Sequence, residues 1–381
     1  MNCSTTIADS TIYAPRPQDG RLRQCLWIAL VLWIASNAFV TMIAKVATWE
    51  GRASYTKMSD LCQWDCTWYA MVLNSGYDKV ARHNSGESNW PFHPLFPMTA
   101  YPLKYWLRLS TFGSLVLASK VELLLAIYAF LLLLSDRTKD AADRFRAGSL
   151  VAFNPYVIYA HAGYAEPLYF ALIALAFLFA ERHRWVLSGG MGGLASATRL
   201  VGMVFAASYC IIWGRSLKGD LSSHKLSFNG IIGLLLCPLG TALFMLYMYH
   251  HIGDALVQQH IQVAWGKIPG NPFQVLWMSF LSHHWPFVWG VTGLVALLLS
   301  GWLVYLHKPE HGVFLAASVL IPFSATWMGA PRYIWWQPPF LYVIYLLLKR
   351  NTGLWLIYTA FASGIATFVI VEWFSGHPFV I

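Results

Sequence analysis

Apolar residues run along this chain in long continuous stretches, separated by short polar segments. Four stretches reach the roughly 20 residues that a membrane-spanning helix needs, at 25–45, 111–134, 229–250 and 286–306. Runs of this length exclude an outer-membrane barrel, whose strands alternate apolar and polar positions over about 10 residues. The pattern therefore predicts an all-α, polytopic integral membrane protein.

We predict about eleven spans, several of them short enough to be broken helices. They lie at 25–45, 112–134, 147–162, 167–181, 185–198, 200–213, 228–249, 285–306, 313–328, 335–348 and 353–371. Two further helices, 65–75 and 94–110, are predicted to lie along the membrane interface. The alternative, that 94–110 spans the membrane, would invert all later segments and place three prolines, a lysine and an arginine in the bilayer. The predicted organisation is listed in chain order: 1–24 a cytoplasmic tail, 25–371 one transmembrane domain, 46–111 its first extracytoplasmic loop, and 372–381 an extracytoplasmic tail.

Basic residues set the predicted orientation, because Lys and Arg favour cytoplasmic loops. With the N-terminus inside, after a segment that resembles an uncleaved signal anchor, the inner segments hold 15 of the 26 Lys and Arg and the short outer connections hold three. Segments 46–111 and 250–275 are then outside, and 135–146 and 214–227 are inside. Ser85 and Ser222 are the positions at which labelling would test this arrangement.

Composition narrows the class further. Hydrophobic residues make up 57% of the 381 positions, which is more apolar surface than a soluble domain can bury, and the net charge of +9 is dispersed over short loops rather than gathered for nucleic acid. No P-loop, nucleotide-binding glycine motif or DxD metal motif is present, so we expect no cofactor and no metal. Cys62 and Cys66 can form a disulfide if their loop is extracytoplasmic, or remain free thiols.

Unusual polar residues collect towards the outer face of the predicted topology. Arg199 and Arg332 abut span ends there, and arginine suits phosphate because its planar fork donates two hydrogen bonds. The alternative is that they form structural ion pairs with Glu166 and Asp254. Lys120, within a span, is a further candidate for a phosphate, although it can equally have a structural partner.

Asp65 begins the predicted helix 65–75, where a carboxylate suits the positive end of the helix dipole. It is therefore either a functional carboxylate at the membrane boundary or a helix cap. His93, between Phe92 and Pro94, is either a packed histidine or a ligand-binding one.

The motif WDCTWYAMVLNSGYD at 64–78, followed by WPFHPLFP at 90–97, resembles the signature of the PIG-V-like enzymes. These comprise GPI mannosyltransferase II and its bacterial relatives, in the GT-C superfamily of membrane glycosyltransferases. Further agreement lies in Asn154-Pro155, GYAEPLYF, ATRLVG, GDALVQQHIQVAWG and PRYIWWQPPF, so the resemblance covers roughly residues 25–350. The chain departs from the family pattern at His93, where Phe is usual, and at Ala165, where Ser is usual.

The resemblance implies a GT-C-type helical bundle that moves a sugar, mannose in the first instance, from a polyprenyl-phosphate carrier to an acceptor hydroxyl on the outer face. Asp65 would be the general base, desolvated and oriented by Trp64 and Trp68, and the reaction would invert the anomeric carbon. Arg199, Arg332 and Lys120 would bind the carrier phosphate. The candidates for binding sugar or acceptor are Trp64, Trp68, Tyr69, Tyr77, Asp78, His93, Tyr164, Glu166, Asp254, Gln262 and Trp265.

The expected partners are the bilayer, the polyprenyl-phosphate sugar and a lipid-linked or glycan acceptor, with no nucleic acid. The expected location is a bacterial inner membrane with the site facing outward, or the endoplasmic reticulum membrane if the protein is eukaryotic. Two alternatives from other classes are a polyprenyl-lipid or sugar-lipid translocase and a non-catalytic assembly partner.

Overall fold

A computed structural model describes residues 18–81, 86–219 and 228–375. Within these ranges the chain forms seventeen α-helices and no β-strand, as the hydrophobic pattern predicts. The helices are α1 Gln18–Trp49, α2 Asp65–Ser75, α3 Leu95–Tyr105, α4 Thr111–Leu133, α5 Ala141–Ala152, α6 Glu166–Glu181, α7 Trp185–Thr198, α8 Phe205–Gly219, α9 Phe228–Leu236, α10 Leu239–Ile252, α11 Val257–His260, α12 Pro272–Leu281, α13 Trp285–Tyr305, α14 Pro309–Phe323, α15 Ala330–Trp335, α16 Pro338–Leu348 and α17 Thr352–Ser375.

The number of spans differs from the sequence-based prediction. By length and apolar composition, five helices in the described ranges can cross a membrane, or six if α9 and α10 form one bent span. The five are Gly20–Trp49, Thr111–Leu133, Leu200–Leu217, Trp285–Tyr305 and Thr352–Ser375. The predicted count of about eleven is not confirmed, because most of the remaining apolar helices have only 9 to 16 residues. Helices form in both segments predicted to lie along the interface, over the full length of 65–75 as α2 and over only part of 94–110 as α3.

The predicted span 147–162 is wrong as a single helix. Helix α5 ends at Ala152, and the chain continues through a turn into a 3₁₀ helix at Val157–Ala160. Pro155 has no N–H to extend the helix, and the Asn154 side chain accepts a hydrogen bond from the Tyr156 N–H at 2.8 Å. The predicted span 228–249 is likewise broken, since α9 and α10 meet at 47° just before Pro238, the N-cap residue of α10.

Helices α4 and α6 lie at the centre of the bundle, while α1 and α17 lie at its edge. Seventy-two per cent of the apolar stretch of α4 is buried, against 22% in α1 and in α17. Helix α6 is apolar on all sides, which is typical of a helix surrounded by others. The outer helices expose the apolar surface that lipid covers, which supports an integral membrane protein.

Helix α7 approaches α9 very closely and ends just before Arg199. A Cβ atom at Gly189 would lie only 2.0 Å from the carbonyl oxygen of Gly233, so a glycine is needed there. Small residues allow such close approach between helices in membranes. Arg199 follows the last residue of α7 in extended conformation, with φ −154° and ψ 140°, and so leaves the helix axis.

Segments predicted on opposite sides of the membrane lie at opposite ends of the bundle. At the end where α6 finishes, Arg137 pairs with Glu181 at 2.8 Å, and Arg21 pairs with Asp136 at 2.9 Å. At the other end, where α6 starts, lie α2 and Arg199. The test positions Ser85 and Ser222 are outside the described residues, as are most of the two predicted tails. The described part of 372–381 belongs to α17, which continues to Ser375.

Candidate active site

A cavity of about 440 Å³ opens at the end of the bundle where α2 and α6 begin. Its walls come from α2, the segment before α3, the start of α6, the end of α7, residues 258–269 and the region from α14 to Gln337. Nine of the predicted site residues line it. They are Asp65, Tyr69, His93, Tyr164, Glu166, Arg199, Gln262, Trp265 and Arg332.

Asp65 is the first residue of α2, and its backbone is held from two sides. Its N–H donates to the Tyr164 hydroxyl at 3.0 Å, and that hydroxyl donates to the Gln63 carbonyl at 3.1 Å. A disulfide joins Cys62 to Cys66 at the start of α2, so the two cysteines are paired rather than free thiols.

The residue before Asp65 is strained. Trp64 has φ 54°, in a region that non-glycine residues rarely adopt and that costs about 1–3 kcal/mol. Such a conformation persists only where the surroundings enforce it, as they do here, so the direction in which Asp65 leaves the backbone is fixed.

Arg332, rather than a tryptophan or a helix N–H, is the partner of the Asp65 carboxylate. Arg332 Nη1 donates to Asp65 Oδ2 at 2.8 Å, and Asp65 Oδ1 accepts no hydrogen bond from any described residue. The N-cap residue of α2 is Trp64, so the structure does not support the helix-cap alternative. Trp64 and Trp68, predicted to desolvate and orient the base, are not among the residues that line the cavity, and that role stays a prediction.

The ion pair extends into a chain of four charged groups. Arg199 Nη1 donates to Glu166 Oε1 at 2.8 Å, and Arg332 Nε lies 3.1 Å from the same oxygen without a well-directed hydrogen bond. The Glu166 side chain is only 2% exposed and that of Arg332 only 9%. Buried charges need such partners, since an unpaired one is strongly destabilising. Each arginine is thus already paired with a carboxylate.

Tyr333 lies between the two arginines. Its ring is 4.7 Å from the Arg199 guanidinium and 4.8 Å from that of Arg332, and its hydroxyl accepts from Arg332 Nη2 at 3.1 Å. Burial alone would raise the pKa of Tyr333, but the charges of Arg332, Lys267 and Arg199 outweigh it and hold the pKa below its usual value. The lowered pKa of Tyr333 therefore indicates a positive electrostatic potential in the cavity.

Lys267 is the cavity cation that the sequence analysis did not single out as a ligand. It is half-buried, and it forms no ion pair or hydrogen bond with another described side chain. Burial lowers the pKa of His93 to about 4, with Arg199 contributing, so this imidazole is neutral. Three cations then face two carboxylates among the described lining residues, an excess of one positive charge. The sequence feature that could have identified Lys267 is its position directly after the GDALVQQHIQVAWG motif.

Six predicted site residues lie away from the cavity. They are Trp64, Trp68, Tyr77, Asp78, Lys120 and Asp254. Trp68 stacks on Phe92 and meets the edge of Trp265, so it supports the wall from behind. Asp254 pairs with His260 at 2.7 Å, which corrects the alternative that joined it to an arginine. Arg199 does pair with Glu166, as the structural ion-pair alternative predicts.

The Gly76-Tyr77-Asp78 sequence shapes a loop rather than binding in the cavity. Gly76 adopts φ 74°, and its carbonyl accepts from Asn89 Nδ2 at 3.0 Å. The Asp78 N–H donates to Asn89 Oδ1 at 3.0 Å, and the Tyr77 hydroxyl donates to the Phe92 carbonyl at 2.7 Å. These contacts join residues 76–78 to residues 89–92, directly before His93 at the cavity wall.

Lys120 belongs to a separate polar cluster inside the bundle. Its ammonium donates to Asn37 Oδ1 at 2.7 Å and lies 3.0 Å from His161 Nδ1, while Ser36 lies 3.0 Å from His161 Nε2. The structure gives no contact between Lys120 and the cavity. Its predicted role at a carrier phosphate therefore has no geometric support.

The cavity is also lined by polar residues that were not among the predicted site residues. They are Thr198, Gln258, Gln259, Ser318, Ser324, Thr326 and Gln337. Gln258 and Gln259 lie within a motif quoted above, but the pattern alone did not distinguish them from surface glutamines. Among the described residues, no group of three or more His, Cys, Asp or Glu side chains is placed to hold a metal ion.

The sequence profile of glycosyltransferase family 87 matches residues 90–331, which is more than half of the chain. This chain belongs to glycosyltransferase family 87. The matched region contains His93, Glu166, Arg199 and Lys267, and it ends one residue before Arg332. No curated protein matches the chain.

Two solved structures are similar in fold to this family 87 chain. ArnT from Cupriavidus metallidurans, solved with undecaprenyl phosphate bound, is 15% identical over 91% of this chain and 64% of its own, with a TM-score of 0.50. The oligosaccharyltransferase AglB from Archaeoglobus fulgidus, solved with an inhibitory peptide and a dolichol-phosphate, is 12% identical over 92% of this chain and 56% of its own, with a TM-score of 0.48. The chain thus spans less than two thirds of either protein.

Family and fold agree with each other. The chain is a member of glycosyltransferase family 87, its fold is similar to that of ArnT, and five or six helices in its described ranges can cross a membrane.

Proposed function

We propose that this enzyme is an inverting transferase that moves a sugar from a polyprenyl-phosphate carrier to a hydroxyl of a lipid-linked or glycan acceptor. We further propose that the sugar is mannose, on the strength of the PIG-V-like motifs at 64–78 and 90–97. The observation that carries the proposal is the composition of one cavity, in which a carboxylate with a free oxygen faces an excess of positive charge.

Asp65 is the general base of this proposal. The acceptor oxygen attacks the anomeric carbon as its proton passes to Asp65 Oδ1, and the bond from that carbon to the carrier phosphate breaks. The electron pair of that bond leaves with the phosphate, whose charge changes from one negative to two. The Arg332 hydrogen bond to Oδ2 holds the carboxylate in position, so that Oδ1 is the oxygen available to the proton.

The positive groups of the cavity stabilise the leaving phosphate. Arg199 and Arg332 already share Glu166, whereas Lys267 has no carboxylate partner among the described residues. Lys267 is therefore the cation that most directly stabilises the added phosphate charge. Such preorganised charge acts most strongly where water is excluded. The undecaprenyl phosphate that is bound in ArnT is a ligand of the same chemical class as the proposed product.

The proposed location is the extracytoplasmic face of a bacterial inner membrane, or of the endoplasmic reticulum membrane in a eukaryote. Two observations support an outward-facing site. The disulfide between Cys62 and Cys66 lies beside Asp65, and disulfides persist mainly in oxidising compartments. The distribution of basic residues favours the same orientation.

The test is a transfer assay with purified protein in lipid nanodiscs. Polyprenyl-phosphate mannose, the corresponding glucose donor and GDP-mannose are each incubated with lipid and glycan acceptors, and products are identified by mass spectrometry, with the anomeric configuration read by NMR. We expect an inverted glycoside from a polyprenyl-phosphate donor only. Use of GDP-mannose, or retention of configuration, would contradict the proposal.

The translocase and assembly-partner alternatives have no specific contact in their favour. Membership of a glycosyltransferase family supports bond formation rather than lipid movement. Binding or movement of the polyprenyl lipid with no glycosidic product from any acceptor would favour the translocase, and an unchanged phenotype after neutralisation of Asp65 would favour the assembly partner.

A further inference from the structure

His93 is a buried polar group of the cavity wall. It is 4% exposed, and neither ring nitrogen makes a hydrogen bond of ordinary length and angle with a described residue, although the Gln258 side chain and the Ser196 backbone lie near enough to oppose the lowering of its pKa by burial. A buried polar atom left unsatisfied costs about 1–3 kcal/mol, so native proteins seldom leave one without a reason. Because the imidazole is neutral, one nitrogen can donate and the other can accept.

Two neighbours in the same wall share this property. Gln258 is 5% exposed and its Nε2 has no described partner, and the indole Nε1 of Trp265 is also buried without one. All three residues line the cavity. Together they offer donors and an acceptor to a ligand that carries several hydroxyl groups.

The rest of the His93 environment is apolar. The His93 ring lies 5.1 Å from the Phe244 ring, in an apolar cluster that also contains Met248, Val257 and Ile261. A phenyl ring would fill the same volume without leaving polar atoms unsatisfied.

We propose that His93, together with Gln258 and Trp265, binds hydroxyl groups of a pyranose ring and determines which ring the cavity accepts. This inference rests on the proposed transferase function and specifies how its sugar is recognised. The ligand chemistry is shared by the donor sugar and a sugar acceptor, and the experiment distinguishes the two.

The position of the charged groups is compatible with this assignment. Arg199 and Lys267 line the same cavity, and Arg199 is close enough to affect the ionisation of His93. A sugar that is joined directly to a phosphate held by these cations has its ring within reach of His93. Trp265 adds an aromatic surface, and aromatic residues suit the apolar face of a pyranose.

The test compares wild-type protein with His93→Phe and His93→Asn. Phenylalanine keeps the packing and removes both polar atoms, whereas asparagine keeps a donor and an acceptor. The matched control is His251→Phe, because the His251 ring also packs on aromatic residues, with its Nε2 3.0 Å from the Tyr77 carbonyl oxygen, but does not line the cavity. Initial rates are measured with the donor and acceptor and with deoxy analogues of each.

We expect His93→Phe to lower kcat/KM about 10- to 100-fold, the range that one lost hydrogen bond to a substrate hydroxyl gives. Wild-type protein should react more slowly with the deoxy analogue that lacks the hydroxyl bound by His93 than with the parent compound. His93→Phe should react with this analogue as fast as wild-type protein does. Whether the analogue is a donor or an acceptor identifies the ring that His93 binds. His93→Asn should recover part of the activity, and His251→Phe should change the Tm and not the selectivity.

A second readout does not require transfer. Binding of octyl α-mannopyranoside and its deoxy analogues is followed by tryptophan fluorescence in wild type and His93→Phe. Equal kinetics, equal analogue penalties and equal binding in the two proteins would overturn the inference. A wild-type protein that binds the pyranoside through His93 but transfers no sugar would instead overturn the proposed function and leave the inference standing.

Discussion

Replacing Asp65 by asparagine removes the proposed base and leaves nearly the same shape. The amide oxygen can still accept the hydrogen bond that Arg332 donates at 2.8 Å, but no atom can take a proton from the acceptor. A general base contributes about 10²- to 10⁴-fold, so kcat should fall by about two to four orders of magnitude, equal to about 3–5.5 kcal/mol of activation free energy.

The stability cost should be smaller than the catalytic cost. Arg332 keeps its contact with Glu166, and the Asp65 side chain is 24% exposed, so the lost charge is partly screened. A hydrogen bond to a charged group contributes about 1.5–3 kcal/mol, and part of this free energy is retained when the amide oxygen of asparagine accepts from Arg332. We therefore expect a free energy of unfolding within about 2 kcal/mol of wild type.

Charge balance needs its own control, because Asp65→Asn leaves one more unpaired positive charge in the cavity. The double variant Asp65→Asn with Arg332→Gln restores the net charge without restoring a base, and it should stay at least as inactive as the single variant. Asp254→Asn is the matched aspartate control, since its carboxylate pairs with His260 outside the cavity. It should retain turnover within about twofold, as a surface pair contributes little.

Turnover is measured by product formation at saturating donor and acceptor, and folding by thermal unfolding of the detergent-purified variants. An Asp65→Asn enzyme that keeps turnover within tenfold of wild type would refute the assignment of the base. Recovery of turnover in the double variant would show that Asp65 acts through charge balance instead.

Three further outcomes follow from the cavity and from the separate lysine cluster. Lys267→Gln should raise the KM for the donor about tenfold, the size of one charge-assisted contact, while Lys79→Gln, which removes an exposed cation that does not line the cavity, should leave it unchanged in the same initial-rate assay. The KM for the donor should also rise as the pH approaches the Tyr333 pKa, which lies below its usual value, because the phenolate repels phosphate; a rise that persists in Tyr333→Phe would exclude this cause. Lys120→Met should change the Tm and not the donor KM, and a tenfold higher KM would return Lys120 to the phosphate site.

Much of the fold could be read from the chain because helix formation follows from local apolar runs. The predicted helices at 65–75 and 353–371 correspond to α2 and α17. The breaks at 153–156 and at Pro238 were the harder part, since a short apolar run looks alike in a continuous and in a broken helix.

The sequence predicted which residues form much of the candidate site, but not which of them contact one another. The sequence indicated that Asp65, Glu166, Arg199 and Arg332 belong to one outer cavity, because the topology places them at the same end. It assigned Lys120 to the phosphate and overlooked Lys267, since both are single lysines among apolar residues and only their neighbours distinguish them.

Local chemistry therefore determined the class of this protein, while tertiary packing decided the roles of its charges. The motif around Asp65 and the apolar runs act over a few residues, so they are visible in the chain itself. The pairing of Asp65 with Arg332 joins residues 267 positions apart, and it depends on how α2 and α15 are held against the central helices. Such a contact has no signature in either local sequence, because the energy of a buried ion pair depends on which groups the packing of the whole bundle brings together.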